Sequence, residues 1–384
     1  MNSAFGGMIT SRQYAEMQLK RGCAASTYES THPRLSRRVL IGSVLCLTAG
    51  VLAGCGQTIA SVSTVTATAG DAAPATGAFD VLPAWTRPSG SGTVETLAWR
   101  PRQQQFASGS SDGQVRLWSS DGTVQQTASF AAFVSGLSWS PDGAQLAVAT
   151  THGALGFWPS AGAWPAQIDT VANRYAASAW RPDGATLAVA AGEGSVALWQ
   201  AAGSPGPSLN ISGQTTALAW SPDGALLAAG NRTGEVHVWT AAGEQHWLTA
   251  AANRRDVNSL AWSPDGRLLA AGYEDGSVSL LSADAGQEQG SLPVGRPVNA
   301  VAWSPNGAIL AVSSLRLSVT LWSAIPPAPL TELQVGYDVN DLLWSPAGDL
   351  LVAGADDHAV HAWSVAPAQG PGLPVLLATG YMAR

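Results

Sequence analysis

The chain has 384 residues, of which 46% are hydrophobic and only 12% charged, with 42 glycines and 23 prolines. This composition excludes a disordered polyelectrolyte and a coiled coil, and it favours a packed protein that is rich in turns. Beyond Cys55 there are 13 arginines, no lysine and 24 carboxylates, which gives a net charge of −11. Because nucleic-acid binding needs a clustered basic surface, no nucleic-acid partner is expected.

The N-terminal segment, residues 1–54, has the features of an export signal. Arg34, Arg37 and Arg38 precede an almost unbroken apolar run over 39–53, which is shorter than the roughly 20 residues that a membrane-spanning helix needs. The run ends in Leu-Ala-Gly before Cys55. All three cysteines lie within the first 55 residues, so the remainder of the chain has neither disulfides nor cysteine metal sites. The true start codon stays open, because Met8 and Met17 are alternatives.

This segment resembles the signal peptide of a bacterial lipoprotein, and the residues Ser36-Arg37-Arg38-Val39-Leu40-Ile41 resemble a twin-arginine export signal. The resemblance implies that Cys55 is lipidated and becomes the first residue of the mature protein, which would be held at the cell membrane on its extracytoplasmic side. An uncleaved membrane anchor is the alternative. Residues 55–78 consist of Cys55 and a stretch of small residues, which is typical of a disordered tether.

From residue 94 onward one pattern recurs seven times, at intervals of 40 to 42 residues. A tryptophan ends a short alternating run in each unit: Trp99, Trp139, Trp180, Trp220, Trp262, Trp303 and Trp344. A second large apolar residue follows 19 positions later: Trp118, Trp158, Trp199, Trp239, Leu281, Trp322 and Trp363. Such a fixed period predicts stacked repeats of one structural unit.

Each unit predicts a four-stranded antiparallel sheet. The alternating run before the first tryptophan is a half-buried strand, and the Ser-Pro-Asp-Gly that usually follows is a turn. A second short apolar run follows, then a hairpin turn such as Asp112-Gly113, Glu193-Gly194, Thr233-Gly234 or Asp275-Gly276, a third strand and a weakly patterned fourth. The sequence therefore predicts an all-β, seven-bladed β-propeller over 79–384.

These units resemble WD40 repeats. They depart from the family pattern because no unit has the opening Gly-His pair and the Asp of the Trp-Asp pair is replaced in every unit. The family's buried His-Ser-Asp-Trp hydrogen-bond tetrad is therefore mostly missing. Small residues are expected to accept a hydrogen bond from a neighbouring indole instead: Ala98, Ser138, Ala179, Ala219, Ala261 and Ala302. Six-bladed TolB-like propellers are the alternative fold.

Closure of the ring needs one more strand beside the last unit. Two segments have the composition of a strand, 81–85 near the beginning of the propeller and 375–381 at its end. The N-terminal segment is favoured, because Trp85 precedes Trp99 at the distance that separates other fourth strands from the next first tryptophan. Pairing of the two chain ends would also remove a sheet edge.

The sequence holds no recognisable catalytic motif, and no cofactor or metal is predicted. The best candidate for a metal site is the group Asp356, Asp357, His358 and His361. The two histidines are three positions apart, and this odd spacing favours side chains on opposite sides of a strand, which indicates a structural role. One residue of each first strand is expected near the central channel: Glu95, Ser135, Ala176, Thr216, Asn258, Asn299 and Asn340. Only Glu95 among these is a carboxylate. One carboxylate gives thin support to the rival function, a quinone-dependent dehydrogenase or a glycan-cleaving propeller enzyme.

The predicted function is therefore a non-catalytic scaffold that binds a protein or peptide. In the WD40 geometry, the loops between second and third strands and between consecutive units share one face, which gathers these residues: Phe133, Arg174, Tyr175, Arg232, Arg254, Arg255, Tyr273, Arg296, Arg316 and Tyr337. Arginine and tyrosine are enriched at interface hot spots, and a basic patch on an acidic protein favours a partner with an acidic segment. The membrane would be contacted by the lipid anchor only. A purely structural envelope module is a third possibility.

Overall fold

The computed structural model describes residues 79–159, 169–170, 175–191, 193–201, 204–249, 255–315 and 317–367. Within these ranges the chain forms antiparallel sheets and no helix, in agreement with the predicted all-β class and consistent with a β-propeller. No segment of the described residues is a helix that could cross a membrane. Cys55 and the other residues before Phe79 lie outside the described ranges.

The first two sheets are regular four-stranded units, called sheet 1 and sheet 2. The strands of sheet 1 are β2 (Val94–Trp99), β3 (Gln105–Ser110), β4 (Gln114–Ser119) and β5 (Val124–Ser129). Those of sheet 2 are β6 (Val134–Trp139), β7 (Gln145–Thr150), β8 (Ala154–Pro159) and β9 (Asp169–Thr170). In both sheets the strands follow chain order, so each strand pairs with the strand before it in the chain.

The next two repeats form a single sheet of seven strands, called the joined sheet. Its strands are β10 (Tyr175–Trp180), β11 (Thr186–Ala191), β12 (Glu193–Gln200), β13 (Pro205–Trp220), β14 (Leu226–Asn231), β15 (Val236–Thr240) and β16 (Gln245–Thr249). The long strand β13 pairs with β12 through its first part and with β14 through its second part. It is thus the last strand of one repeat and the first strand of the next.

The last three repeats form sheets 3, 4 and 5. Sheet 3 contains β17 (Val257–Trp262), β18 (Leu268–Tyr273), β19 (Ser277–Ser282) and β20 (Glu288–Pro293). Sheet 4 contains β21 (Val298–Trp303), β22 (Ile309–Ser314), β23 (Ser318–Ala324) and β24 (Pro327–Gln334). Sheet 5 contains β25 (Val339–Trp344), β26 (Leu350–Ala355), β27 (Ala359–Pro367) and β1 (Phe79–Pro88).

The outer strand of sheet 5 comes from the beginning of the propeller, which confirms the predicted N-terminal closure. Strand β1 runs antiparallel to β27, with Val81 opposite Val365 and Trp85 opposite Ala362. The indole of Trp85 donates to the carbonyl of Ser120 in sheet 1 at 3.0 Å and stacks on Phe106. One strand thus ties the last sheet to the first. The rival segment, 375–381, lies outside the described residues.

The first strands of consecutive repeats contact one another in chain order, and β25 contacts β2, so the series returns to its start. Polar side chains join these strands. Asn258 donates to the carbonyl of Val298 at 2.8 Å, and Asn299 donates to that of Val339 at 3.1 Å. Asn340 repeats the contact across the closing junction. In these three repeats the side chain at the second position of the first strand therefore bonds the next sheet.

Three of the predicted indole acceptors are confirmed. Trp262, Trp303 and Trp344 each donate, at 3.1 Å, to an alanine carbonyl of the preceding sheet; the acceptors are Ala219, Ala261 and Ala302. The prediction is wrong for Ala98 and Ala179, because the indole N–H groups of Trp139 and Trp220 are buried and donate to no acceptor among the described residues. Ser138 accepts the backbone N–H of Trp180 instead of an indole.

Sheet 1 contains a hydrogen-bonded chain that resembles part of the His-Ser-Asp-Trp tetrad. The indole of Trp118 donates to the hydroxyl of Ser108 at 2.8 Å, and Ser108 lies 3.5 Å from the hydroxyl of Ser89. Both serines are buried. The short chain of buried polar groups is thereby satisfied inside the apolar core.

Candidate protein-binding face

The connections between strands lie at two opposite ends of the sheets. Turns between first and second strands form one end, called the turn face. Turns between second and third strands lie at the other end together with the connections between repeats, and this end is called the loop face. Backbone hydrogen bonds join the two kinds of loop: Glu274 N–H donates to Asp256 at 2.9 Å, and Leu315 N–H donates to Pro297 at 3.1 Å. The predicted binding residues are therefore sought on the loop face.

Several of the predicted binding residues are accessible on this face. Arg232, Arg255 and Arg296 are exposed, and the side chain of Tyr337 is 52% exposed. Phe133 is half-buried beside Val134 and contributes only part of its ring to the surface. Since each arginine sits in a loop that a neighbouring loop holds by backbone hydrogen bonds, its position is defined by the fold.

Tyr273 corrects the sequence prediction, because it is only 2% exposed. It ends β18 opposite Val257 and packs in a core cluster with Leu260 and Leu281. A large ring at the end of a strand extends the core when its neighbours are apolar, and the tyrosine therefore does not reach the surface. Arg174, Arg254 and Arg316 lie outside the described residues, as does the side chain of Tyr175.

Two exposed leucines on this face were missed by the sequence analysis. Leu315 is 41% exposed and Leu317 is 45% exposed, in the turn that joins β22 to β23. The carbonyl of Leu317 accepts the N–H groups of Val335 and Gly336, which brings the turn next to Tyr337. The three exposed side chains form what we call the apolar patch. The signal was visible in the sequence, because Leu317 stands where other repeats have the glycine of Asp-Gly, and Leu315 stands where they have a polar residue such as Ser111 or Glu274.

Leu317 holds a backbone conformation that suits glycine better. Its φ is 62°, whereas the equivalent turns of other repeats place Gly113, Gly234 and Gly276 at φ values of 80° to 85°. A branched side chain in this left-handed region is strained by about 1 kcal/mol or more. An exposed, strained leucine does not improve packing, which marks this turn as a candidate for a role in binding.

The residues expected near the channel are engaged in bonds between and within sheets. Thr216 donates to the carbonyl of Val257, in the same manner as the asparagines described above. Ser135 donates to the carbonyl of Ala149 at 3.3 Å. Burial raises the pKa of Glu95, while a hydrogen bond from Thr93 opposes that shift and the nearby Asp356 adds to it. Glu95 is the one carboxylate at these positions of the first strands.

Asp341 occupies the closing junction between sheet 5 and sheet 1. It is half-buried, and its carboxylate accepts the backbone N–H groups of Leu97 at 2.7 Å and Leu342 at 2.8 Å. Burial raises its pKa to about 7, although the two backbone donors favour the ionised form. At the equivalent place between sheets 3 and 4, the hydroxyl of Ser259 accepts the N–H of Val301 at 3.1 Å.

The histidine clusters show structural contacts. His361 lies 2.9 Å from the carboxylate of Asp357, while His358 is exposed in the turn, so the two rings do not converge. Among the described residues, no group of three or more metal-ligating side chains comes together. His237 lies 3.4 Å from both Ser212 and Glu235, but both contacts use the same ring nitrogen. In a catalytic triad the hydroxyl and the carboxylate contact different ring nitrogens of the histidine. Ser212, His237 and Glu235 therefore lack the geometry of a catalytic triad.

The repeats that build this face were compared with known proteins. Three segments of the chain match WD40 family models. Residues 84–119 and 329–364 match the model described as "WD domain, G-beta repeat". Residues 218–306 match the model described as "Anaphase-promoting complex subunit 4 WD40 domain". No curated protein sequence matches the chain. The matched segments lie at the beginning, middle and end of the predicted propeller, and they agree with the resemblance stated from the repeats.

Proposed function

We propose that this chain is a non-catalytic scaffold that binds another protein or peptide through its loop face. The observation that carries the proposal is the grouping of exposed arginines with the apolar patch at one end of the sheets. Arginine and tyrosine, both of which are exposed on this face, are enriched among the few residues that supply most of the binding energy at protein interfaces. WD40 repeats generally mediate protein–protein interaction, which supports the proposal by analogy.

The proposal includes a seven-bladed architecture. The joined sheet then counts as two blades that share β13, and the other five sheets count as one blade each. Seven repeats in the sequence and the return of the first-strand contacts to β2 support this count. The loops of all blades would face the same partner, so a peptide could contact arginines from several repeats at once.

The chemistry of the face favours a partner segment that combines carboxylates with an apolar anchor. Arg255 and Arg296 belong to neighbouring connections, before β17 and before β21, and the apolar patch follows in the next repeat. The body as a whole carries a net charge of −11, so an acidic partner is attracted only where arginines gather locally. An apolar side chain seated on Tyr337 and the leucines would add affinity that does not depend on salt.

Replacing Arg255 and Arg296 together by glutamate is expected to abolish binding of acidic peptides. The probe is a panel of peptides selected against the wild-type protein from a random display library, and the affinity is measured by fluorescence anisotropy. Binding should weaken by about 2 kcal/mol or more if either arginine is a hot spot, and wild-type affinity should fall with added salt. The melting temperature should stay nearly unchanged, because exposed loop substitutions usually cost under about 0.5 kcal/mol.

Arg267→Glu is the matched control for this double variant. Arg267 is also exposed, but it lies in the turn between β17 and β18, on the turn face of the same sheet that carries Arg255. It reverses a charge without changing the loop face, and it should leave peptide affinity close to wild type. Selected peptides that lack carboxylates, or a double variant that binds them normally, would contradict the proposed site.

We propose further that the protein is held on the extracytoplasmic side of the cell membrane by lipid at Cys55. The basic flank, the short apolar run and the Leu-Ala-Gly-Cys sequence support this placement. Cys55→Ser is expected to move the protein from the membrane fraction to the soluble fraction, because a lipoprotein anchor with several acyl chains binds stably. Mass spectrometry of the membrane form should find a lipidated Cys55 as the first residue. An intact N-terminus upstream of that residue would instead support the uncleaved anchor.

A further inference from the structure

Two arginines on the turn face lie against the tryptophan of the next repeat. The guanidinium carbon of Arg100 is 4.9 Å from the ring centre of Trp139, and its Nε donates to the carbonyl of Gly143 at 2.9 Å. The pKa of Arg100 is lowered by burial, in keeping with this partly desolvated position. The arginine replaces the serine that opens most of the Ser-Pro-Asp-Gly turns.

Arg181 repeats this arrangement two repeats later. Its guanidinium carbon is 5.6 Å from the ring centre of Trp220, and its Nε donates to the carbonyl of Gly224 at 2.9 Å. A terminal nitrogen also lies 3.2 Å from the carboxylate of Asp183, in the same turn. In both places a guanidinium lies in the space between the turns of neighbouring repeats. Each guanidinium contacts a tryptophan ring and a glycine carbonyl of the following repeat.

The equivalent place between sheets 3 and 4 contains no arginine. Ser263 opens the turn after Trp262, and a groove of about 360 Å³ lies between this turn and the next. The residues that line this groove, called the Trp303 groove, include Ser263, Pro264, Asp265, Trp303, Gly307 and Ile325. It has the same elements as the place that Arg181 fills, namely a tryptophan, the glycine of the following turn and a carboxylate. The place that Arg100 fills has the tryptophan and the glycine.

The glycines show how the filled and open places differ. A methyl group placed on Gly143 or Gly224 would meet the stem of the arginine, at 3.5 Å and 3.3 Å from Cγ respectively. On Gly307 the same methyl would meet only Pro264, at 3.6 Å. The backbone thus leaves room beside Gly307 for the side chain that the other two places already contain.

We propose that the Trp303 groove binds the guanidinium of an arginine side chain from a partner protein. The ring of Trp303 takes the position that Trp139 and Trp220 have under Arg100 and Arg181. The carbonyl of Gly307 corresponds to the two glycine acceptors, and Asp265 corresponds to Asp183. Arg267 approaches Asp265 only to 3.9 Å and is 86% exposed, so this contact is weak and easily displaced.

The geometry favours arginine over lysine. A planar guanidinium stacks on an indole and directs several N–H groups in its own plane, whereas an ammonium is a compact and strongly hydrated charge. Ile325 adds an exposed apolar wall for the methylene stem. The groove lies on the turn face, at the opposite end of the sheets from the loop face. The inference is therefore independent of the proposed function.

The test uses the full chain labelled with ¹⁵N at tryptophan and titrated with Nα-acetyl-arginine methylamide. The indole resonance of Trp303, assigned with Trp303→Phe, is expected to shift in a saturable manner. The citrulline analogue, which has the same shape without the charge, should cause no saturable shift, and the lysine analogue should bind at least about fivefold more weakly. No saturable shift with arginine, or equal shifts with all three amides, would overturn the proposal.

Ser263→Arg provides the decisive variant, because the new side chain should fill the groove as Arg100 and Arg181 fill theirs. Binding of the arginine amide should be lost. Ser140→Arg is the matched control and should retain it: Ser140 and Ser263 make the same two bonds, to the turn aspartate at 2.6 Å and from a backbone N–H at 2.9 Å. A folded Ser263→Arg protein that still binds the amide would contradict the site.

Asp265→Asn tests the carboxylate without relying on that variant. Asn306 holds the equivalent position in the next turn and accepts the same contacts, from Ser304 at 2.7 Å and from Ala308 N–H at 3.0 Å. The turn therefore tolerates the amide, and the variant should fold. Its affinity for the arginine amide should fall about threefold or more, since an ionised acceptor strengthens such a bond. Unchanged affinity would show that Asp265 does not contact the guanidinium.

Discussion

Replacing Asp341 by serine is expected to remove a loss of stability that the wild-type protein undergoes as the pH rises from about 4 to about 7. The pKa of Asp341 is about 7 in the folded protein, against 3.8 for the ordinary side chain, because burial disfavours the charged form. Between these values the folded protein retains a proton that the unfolded chain has released, so the free energy of unfolding decreases as pH rises. The full difference amounts to about 4 kcal/mol above pH 7.

Serine is a suitable replacement because the chain already uses it at the equivalent junction. Ser259 accepts the N–H of Val301 as Asp341 accepts that of Leu97, so the hydroxyl keeps one hydrogen bond without a charge. Urea unfolding at several pH values from 4 to 8 gives the measurement. The difference between wild type and Asp341→Ser should change by several kcal/mol across this range, with the variant more stable at pH 8. Parallel pH profiles in the two proteins would show that Asp341 does not carry the effect.

Trp118→Ala is expected to destabilise the protein by about 3–5 kcal/mol, the usual cost of truncating a large aromatic residue in a core. The side chain is 1% exposed, and its ring stacks on Phe106 with 6.1 Å between the ring centres. The hydroxyl of Ser108 would also lose the donor that satisfies it. Denaturant unfolding followed by circular dichroism measures the loss. A decrease below about 1 kcal/mol would mean that the surrounding side chains refill the space.

A pair of phenylalanine variants separates packing from hydrogen bonding. Trp118→Phe removes the bond to Ser108, whereas Trp322 holds the equivalent position in sheet 4 with an indole nitrogen that finds no acceptor among the described residues. Both changes remove similar aromatic area. We expect Trp118→Phe to cost about 1 kcal/mol more than Trp322→Phe, the ordinary net contribution of one hydrogen bond. Equal costs would assign the role of Trp118 to packing alone.

The sequence predicted the strands and turns well because their signals are local. A proline that fixes one φ and a glycine that permits a positive φ define the turns before β7, β14, β18 and β22, and the glycines there have φ of 69° to 71°. Closure by β1 was predictable from the spacing of Trp85. In each case the structure depends on residues that are close in sequence or on a period of the repeat.

The contacts that were missed depend on a neighbouring sheet. Nothing near Asp341 in the sequence distinguishes a carboxylate that faces the next sheet from one that faces water, because both continue the same alternation. Tyr273 was predicted on the surface because it precedes a turn, yet it lies in a core cluster that includes Val236 and Val238 of the joined sheet. Arg100 and Arg181 likewise find their partners about 40 residues away in the chain, on the following repeat.

Strand β13 has a consequence for how the protein unfolds. In an array of repeats, each unit normally opens by itself, because few hydrogen bonds cross the boundary between units. Here one uninterrupted strand donates and accepts in the ladders of two repeats, with Val196 paired to Leu209 at one end and Trp220 paired to Leu227 at the other. Local unfolding that begins in one repeat therefore disrupts a strand that also forms hydrogen bonds in the other repeat. These two repeats should therefore exchange their amide protons as one cooperative unit, twice the size of the others.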